Sequence, residues 1–166
     1  MPDDGQGAPA EPHVCGPEDG PGVLLYGDAT CPRCQQAVLR LRAAPVRLTW
    51  RHLVLRARGP RPRALACALE AAGRQDAFWP VLDALVAEPG RTEDPDLWAL
   101  AQRLGLDVAR FDRDRHDDAA AAAIAADLSA GLAAGAVGTP AIVLAGEPVE
   151  HGVPDDAWVA ALLRRG

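Results

Sequence analysis

A short apolar run, Val23-Leu24-Leu25-Tyr26, breaks at Gly27-Asp28 and leads directly into Cys31-Pro32-Arg33-Cys34. This junction constrains the fold more than any other feature of the chain. Four consecutive apolar residues bounded by a Gly-Asp turn read as a central strand buried on both faces. Pro32 suits the first turn of a helix, where its missing N–H costs nothing. Cys34, Ala37, Val38 and Leu41 carry the i, i+3, i+4, i+7 spacing of one buried helix face, and Ala44-Pro45 ends that helix. Beyond it Val46, Leu48 and Trp50 alternate with Arg47, Thr49 and Arg51, the period of a half-buried strand expected to run on through His52-Leu53-Val54. Strand, helix and strand in this order predict a parallel βαβ unit with a right-handed crossover.

The pattern then turns helical. Pro62–Ala72, Phe78–Ala87 and a segment carrying Leu97, Leu100, Ala101 and Leu104 predict three helices, the last opened by Asp94-Pro95 as cap and first turn. A fourth, long helix is expected from about Asp117 to Ala134, anchored by Ile124, Leu128 and Leu132, and its Ala tract reads as a good helix former and nothing more. Between these, Asp112 to Asp118 reads as a charge run with His116 in solvent. The period changes again at Gly138-Thr139-Pro140: a strand over Ala141–Leu144, a turn at Gly146-Glu147-Pro148, a second strand over Val149–His151, and a final helix opened by Asp155-Asp156 and closed by Arg164-Arg165, as the helix dipole prefers. Residues 1–22 hold five Gly and five Pro and almost no bulky apolar side chain, so they are expected to form a flexible tail. The predicted organisation is an α/β domain built from 23–55 and 135–166 (βαβ … ββα), with an all-helical insert over 56–134.

The net charge of −6 argues against nucleic acid as a partner, because phosphates need a basic face. All 17 basic residues are Arg, with no Lys and no Asn in the chain, a bias expected of a GC-rich genome. No apolar stretch reaches the ~18 residues of a membrane span, and no basic segment followed by an apolar one opens the chain. The expected address is therefore the cytoplasm, where thiols are kept reduced and a close cysteine pair is more often catalytic or metal-binding than structural.

Four cysteines are present, and Cys31/Cys34 are the informative ones. At a helix N-terminus the unpaired N–H groups and the dipole favour an anion, so Cys31 is expected to be the exposed, readily ionised thiol, with the charge of Arg33 nearby. Cys34, one turn on, is placed to close a disulfide once Cys31 has attacked, the chemistry of exchange through a mixed disulfide. A zinc site using Cys31 and Cys34, completed by His13 and Cys15, is the competing reading of the pair. Cys67 reads as a small buried hydrophobe, Cys15 as a solvated thiol in the tail, His52 as a structural residue at a strand end, and Trp50, Trp79, Trp98 and Trp158 as core anchors.

Several of these segments together resemble the DsbA-like thiol–disulfide oxidoreductases of the thioredoxin superfamily. The residues that carry the likeness are Tyr26-Gly27-Asp28 followed by Cys31-Pro32-Arg33-Cys34, then Arg51-His52, Phe78-Trp79, Leu97 through Leu106, and Gly138-Thr139-Pro140 before a short apolar strand. His13-Val14 and Gly16-Pro17 resemble the lead-in of bacterial members, some of them fused to sodium/proton antiporters. The resemblance implies a thioredoxin fold with an inserted helical lobe and a cis bond before Pro140, facing Cys31. It further implies Cys31 as nucleophile and Cys34 as resolving thiol, Pro32 and Arg33 tuning the pKa, and Thr139 and Pro140 docking an extended substrate. Expected partners are protein or peptide dithiol/disulfide substrates, with a low-molecular-weight thiol as a further candidate; no cofactor and no metal are expected. A thioredoxin-fold module that binds without catalysis is the other reading. The chain departs from the family at Leu25, where many members carry a buried Glu, at Ala29, where an aromatic is usual, and in the Arg- and Pro-rich loop from Arg56 to Arg63. Without that Glu, Cys34 is expected to exchange its proton with water.

Overall fold

The computed structural model describes residues 12–165. The apolar run forms strand β2 (Gly22–Gly27), and the alternating segment forms β3 (Arg47–His52), parallel to it in a register that sets Leu25 beside Trp50 and Gly27 beside His52. Helix α1 (Pro32–Arg42) joins them and buries Cys34, Ala37, Val38 and Leu41. After the helical block come β4 (Ala141–Val143), antiparallel to β2, then β5 (Glu150–His151), antiparallel to β4, and α7 (Asp156–Leu163). This is an α/β thioredoxin fold with helices inserted between its two halves. Val23 and Leu25 point to a core shared with α1, while Leu24 and Tyr26 pack toward the other face with Leu53, Leu128 and Ala141. Burial on both faces is why β2 has no polar alternation.

The sheet begins with a strand that the sequence does not announce. His13–Cys15 form β1, which pairs antiparallel with β3 and gives the order β1-β3-β2-β4-β5. The expectation of a flexible tail over 1–22 is thus corrected for 12–22, and residues 1–11 lie outside the described residues. Gly16 makes the turn after β1 possible: its φ is +92°, and a Cβ there would lie 2.0 Å from the Val46 carbonyl oxygen. Strand β3 ends at His52, sooner than expected, although the Leu53 N–H still bonds the Gly27 carbonyl at 2.9 Å.

Between β3 and β4 run a 3₁₀ turn (Arg56–Arg58) and helices α2 (Arg61–Gly73), α3 (Phe78–Ala87), α4 (Asp94–Arg103), α5 (Val108–Asp114) and α6 (Asp118–Ala133). Helix α5 falls within a stretch whose charges mask its apolar residues, Val108, packed on the core, and Phe111, which is fully buried. Two expected anchors point outward instead. Trp98 is 41% exposed because its indole N–H donates to Asp112 at 2.7 Å at the surface, and Leu132 is 50% exposed at the end of α6. On α6 the inward positions are Ala120, Ile124, Asp127 and Gly131; Gly131 lets the helix approach Tyr26 and Leu53, where a Cβ would lie 2.8–3.0 Å from their side chains.

Candidate active site

Strand β2 ends at Gly27, whose missing Cβ leaves room for the Trp50 ring, 2.4 Å from where that carbon would lie. The chain then turns through Asp28 and Thr30, the Asp28 carboxylate accepting from the Thr30 N–H at 2.8 Å and the Thr30 hydroxyl at 2.7 Å. Cys31 is the N-cap of α1 and Pro32 its first residue. The sulfur of Cys31 therefore sits where the first helical N–H groups are unpaired. Burial pushes its pKa up, but donors to the ionised sulfur, the Cys34 N–H, the Thr139 hydroxyl, the Cys34 thiol and the Arg33 N–H, outweigh burial and hold it below the ordinary thiol value. Cys34 goes the other way: burial pushes it up to about 12, with the Asp28 N–H, 3.4 Å from its sulfur, working against the rise.

Two expectations about this pair change. Cys31 is only 3% exposed, against 0% for Cys34, so in the dithiol state the first thiol is covered rather than open. Its cover includes the loop before β4: the Thr139–Pro140 peptide bond is cis, and the Thr139 carbonyl oxygen lies 4.0 Å from the Cys31 sulfur. Arg33 contributes to Cys31 through its backbone N–H, while its guanidinium reaches the loop after β5, where a Cβ on Gly152 would lie 3.2 Å from Nη2. The Gly152 N–H in turn donates to the Pro140 carbonyl at 3.0 Å, and the Val137 N–H donates to His151 Nε2 at 3.2 Å. These two bonds tie the loop before β4 to β5. Beside it lies a cavity of about 160 Å³ whose lining includes Ile142, Glu150, Gly152, Pro154 and Trp158.

Sequence reasoning names Thr139 for docking alone and gives the Asp28 side chain no role. The Thr139 hydroxyl is buried and has no hydrogen-bond partner while the thiols carry their protons; toward a thiolate it acts as a donor, which lowers the pKa of Cys31 and works against the rise at Cys34. Asp28 is 1% exposed and one of its carboxylate oxygens, Oδ2, has no partner. Leu25, the position of the absent family Glu, is wholly buried.

The four-ligand zinc set does not assemble. Strand β1 lies beyond β3 from β2, and there His13 Nε2 bonds Glu70 at 2.8 Å while the ring stacks on Phe78 at 3.7 Å. Cys15 is half-buried in β1 beside Arg42 and Asp83, not in a tail. Among the described residues, His13, His52 and Glu70 do bring three metal-type donor atoms within 4.8 Å of one another. The Trp50 indole N–H, however, donates to His52 Nδ1 at 3.2 Å, so His52 carries its proton on Nε2 and gives it to Glu70 at 3.0 Å. A ring nitrogen occupied by a proton is no metal ligand, and the cluster is a hydrogen-bonded network joining β1, β3 and α2. Burial pushes Glu70 up, but the two histidine bonds prevail and bring it down to about 2. Cys67 is buried on α2, as expected.

Comparison with known proteins agrees with this geometry. The chain is 38% identical over 144 residues to the sodium/proton antiporter NhaA 1 of Salinispora arenicola, a match covering 83% of this chain and 22% of the relative. It is 35% identical over 164 residues to NhaA of Herminiimonas arsenicoxydans, covering 93% and 26%. The chain thus spans about a quarter or less of the length of these curated relatives. Among solved structures, a thioredoxin-like oxidoreductase of Silicibacter pomeroyi superposes with a TM-score of 0.81 at 24% identity, over 93% of this chain and 91% of that one. Pseudomonas aeruginosa DsbA2 does so with 0.72 at 26% identity, over 96% of both. The pattern of the DSBA-like thioredoxin domain matches residues 59–162, a span that takes in the helical insert and the Thr139-Pro140 loop, and by that match the chain belongs to the DSBA-like thioredoxin family.

Proposed function

We propose that the chain is a thiol–disulfide oxidoreductase acting on protein or peptide disulfides through Cys31 and Cys34. The observation that carries the reading is the opposed tuning of the two thiols: Cys31 is pulled below the ordinary thiol pKa at a helix N-terminus while Cys34, behind it, is pushed up to about 12. Only a thiolate attacks a disulfide, so the two steps have different actors. In the reducing direction the Cys31 thiolate attacks one substrate sulfur, the substrate S–S bond breaks, and the departing sulfur leaves as a thiolate that takes a proton. Cys34 then loses its proton and attacks the Cys31 sulfur, expelling the second substrate thiolate and leaving the Cys31–Cys34 disulfide. The same steps reversed transfer the disulfide to a substrate dithiol.

Cys34 needs a proton acceptor, and with Leu25 apolar we assign Asp28, whose N–H holds that sulfur and whose Oδ2 is unpartnered. The Thr139 carbonyl and Pro140 form the wall against which an extended substrate lies, and Arg33 reaches across to the rim of the cavity beside β5. The cytoplasm is the proposed setting. Reduction of insulin with dithiothreitol as the electron source tests the reading: wild type should accelerate precipitation of the freed B chain, and Cys31→Ser should not. A wild type as inactive as Cys31→Ser would favour a binding module that keeps the fold without the chemistry.

A further inference from the structure

A second cavity, of about 220 Å³, opens between the 3₁₀ turn after β3 and helix α6. Its lining is apolar at the bottom, with Val54, Ile124 and Leu128, and carries Arg56 and Arg63. Val54 and Ile124 belong to a small apolar cluster with Ala66, Cys67 and Ala120, separate from the main core. The two arginines are exposed, and among the described residues neither they nor Arg58, on the same 3₁₀ turn, has a carboxylate within ion-pair distance. Most of the other arginines among the described residues are paired. Arg40, Arg42, Arg61, Arg74 and Arg115 are each paired with an Asp or Glu, as a net charge of −6 makes easy. The guanidinium groups of Arg56 and Arg63, with Arg58 close by in the chain, therefore concentrate positive potential at the mouth of an apolar hollow.

An apolar floor under fixed cationic donors matches an amphipathic anion: the hollow takes the hydrocarbon, and the planar guanidinium forks take a carboxylate. Size narrows the class. At about 220 Å³ the hollow is of the scale of one short acyl chain. We propose that this cavity is a binding site for a monomeric medium-chain carboxylate of about eight carbons. The site lies just past the carboxyl end of β3, the strand next to the one that leads to Cys31, and an occupant there packs on Ile124 and Leu128 of α6. The inference does not rest on the thiol chemistry and survives or fails apart from it.

Isothermal titration calorimetry of the full chain with sodium octanoate below its micelle concentration tests the site. Saturable one-to-one binding is expected, at least tenfold tighter than that of 1-octanol. It should weaken at least tenfold in the double variant Arg56→Ala/Arg63→Ala. Ala125→Trp, at an exposed lining position, should block the mouth and abolish binding, with circular dichroism confirming that both variants fold. Absence of saturable heat, or equal affinity in wild type and the arginine variant, overturns the proposal. Co-sedimentation with phosphatidylglycerol vesicles that the arginine variant abolishes, without octanoate binding, would make the arginines a membrane contact and overturn it too.

Discussion

Replacing Thr139 by Val separates two effects of one hydroxyl. In the dithiol form that hydroxyl is buried and has no hydrogen-bond partner. When Cys31 ionises, the hydroxyl becomes a donor to the thiolate, one of the bonds that hold the pKa of Cys31 down. A hydrogen bond to a charged group is worth ~1.5–3 kcal/mol, and an unsatisfied buried polar group costs ~1–3 kcal/mol. Val has nearly the same shape and no hydroxyl. Thr139→Val should therefore destabilise the reduced, ionised form, and at ~30 mV per 1.4 kcal/mol the reduction potential should fall by about 30–60 mV. The folded dithiol should at the same time gain stability, and each 1 kcal/mol gained raises Tm by roughly 2–4 °C in a chain of this size. The sign of the pH dependence follows. With Cys31 protonated the variant has only the gain; once Cys31 ionises the wild-type hydroxyl finds its partner and the gain shrinks. Equilibration against glutathione, read by alkylation and mass spectrometry, measures the potential; thermal melts of the reduced protein at several pH values measure the stability. An unchanged potential, or a variant less stable than wild type in mild acid, would refute the assignment of the hydroxyl to the sulfurs.

Glu70 predicts an acid-sensitive tie. Its folded pKa of about 2 lies below the ordinary 4.5, so its stabilisation is present above pH 4.5 and is lost as the pH falls toward 2; at 1.36 kcal/mol per unit this is about 3 kcal/mol. Denaturant melts should show Glu70→Gln destabilised by that order at neutral pH and converging on wild type near pH 2, and a constant difference across the window would count against the network. For the proton of Cys34, Asp28→Asn should slow resolution of a mixed disulfide in single-turnover stopped flow. Leu25→Glu should speed it while lowering stability by several kcal/mol for burying a carboxyl group. A normal rate in Asp28→Asn would leave the proton to water. Alkylation at mildly acidic pH should label Cys31 well before Cys34, Cys15 and Cys67, with equal labelling of all four as the contrary result.

The elements legible in the sequence are those stabilised by local pattern. Strands β2 and β3 and helix α1 show their burial in spacing alone, and the Pro and Cys at the start of α1 mark the cap. The fold class followed from these and from the family resemblance. What stayed hidden depends on distant partners. Strand β1 is three residues in a Gly- and Pro-rich stretch, and it is held by pairing with β3, by Phe78 against His13 and by the Trp79 indole N–H on the Val14 carbonyl. No local period announces such a strand. Helix α5 has only seven residues, too few to display a buried face among its charges. Trp98 looks apolar in the sequence, but its N–H finds Asp112 at the surface. At the site, Cys31 and Cys34 are readable because they share one helix turn. The effect of the Thr139 hydroxyl is not, because Thr139 comes to Cys31 from 108 residues away along the chain. Asp28 was visible beside the motif, but its burial and its N–H on Cys34 depend on how the loop closes.

Trapping the covalent intermediate tests the division of labour between the two cysteines most directly. Cys34→Ser, mixed with a disulfide-bonded peptide and quenched in acid, should accumulate a stable one-to-one mixed disulfide, located on Cys31 by peptide mass spectrometry. Cys31→Ser should accumulate none. A mixed disulfide at Cys15 or Cys67, or equal trapping by both variants, would contradict the account.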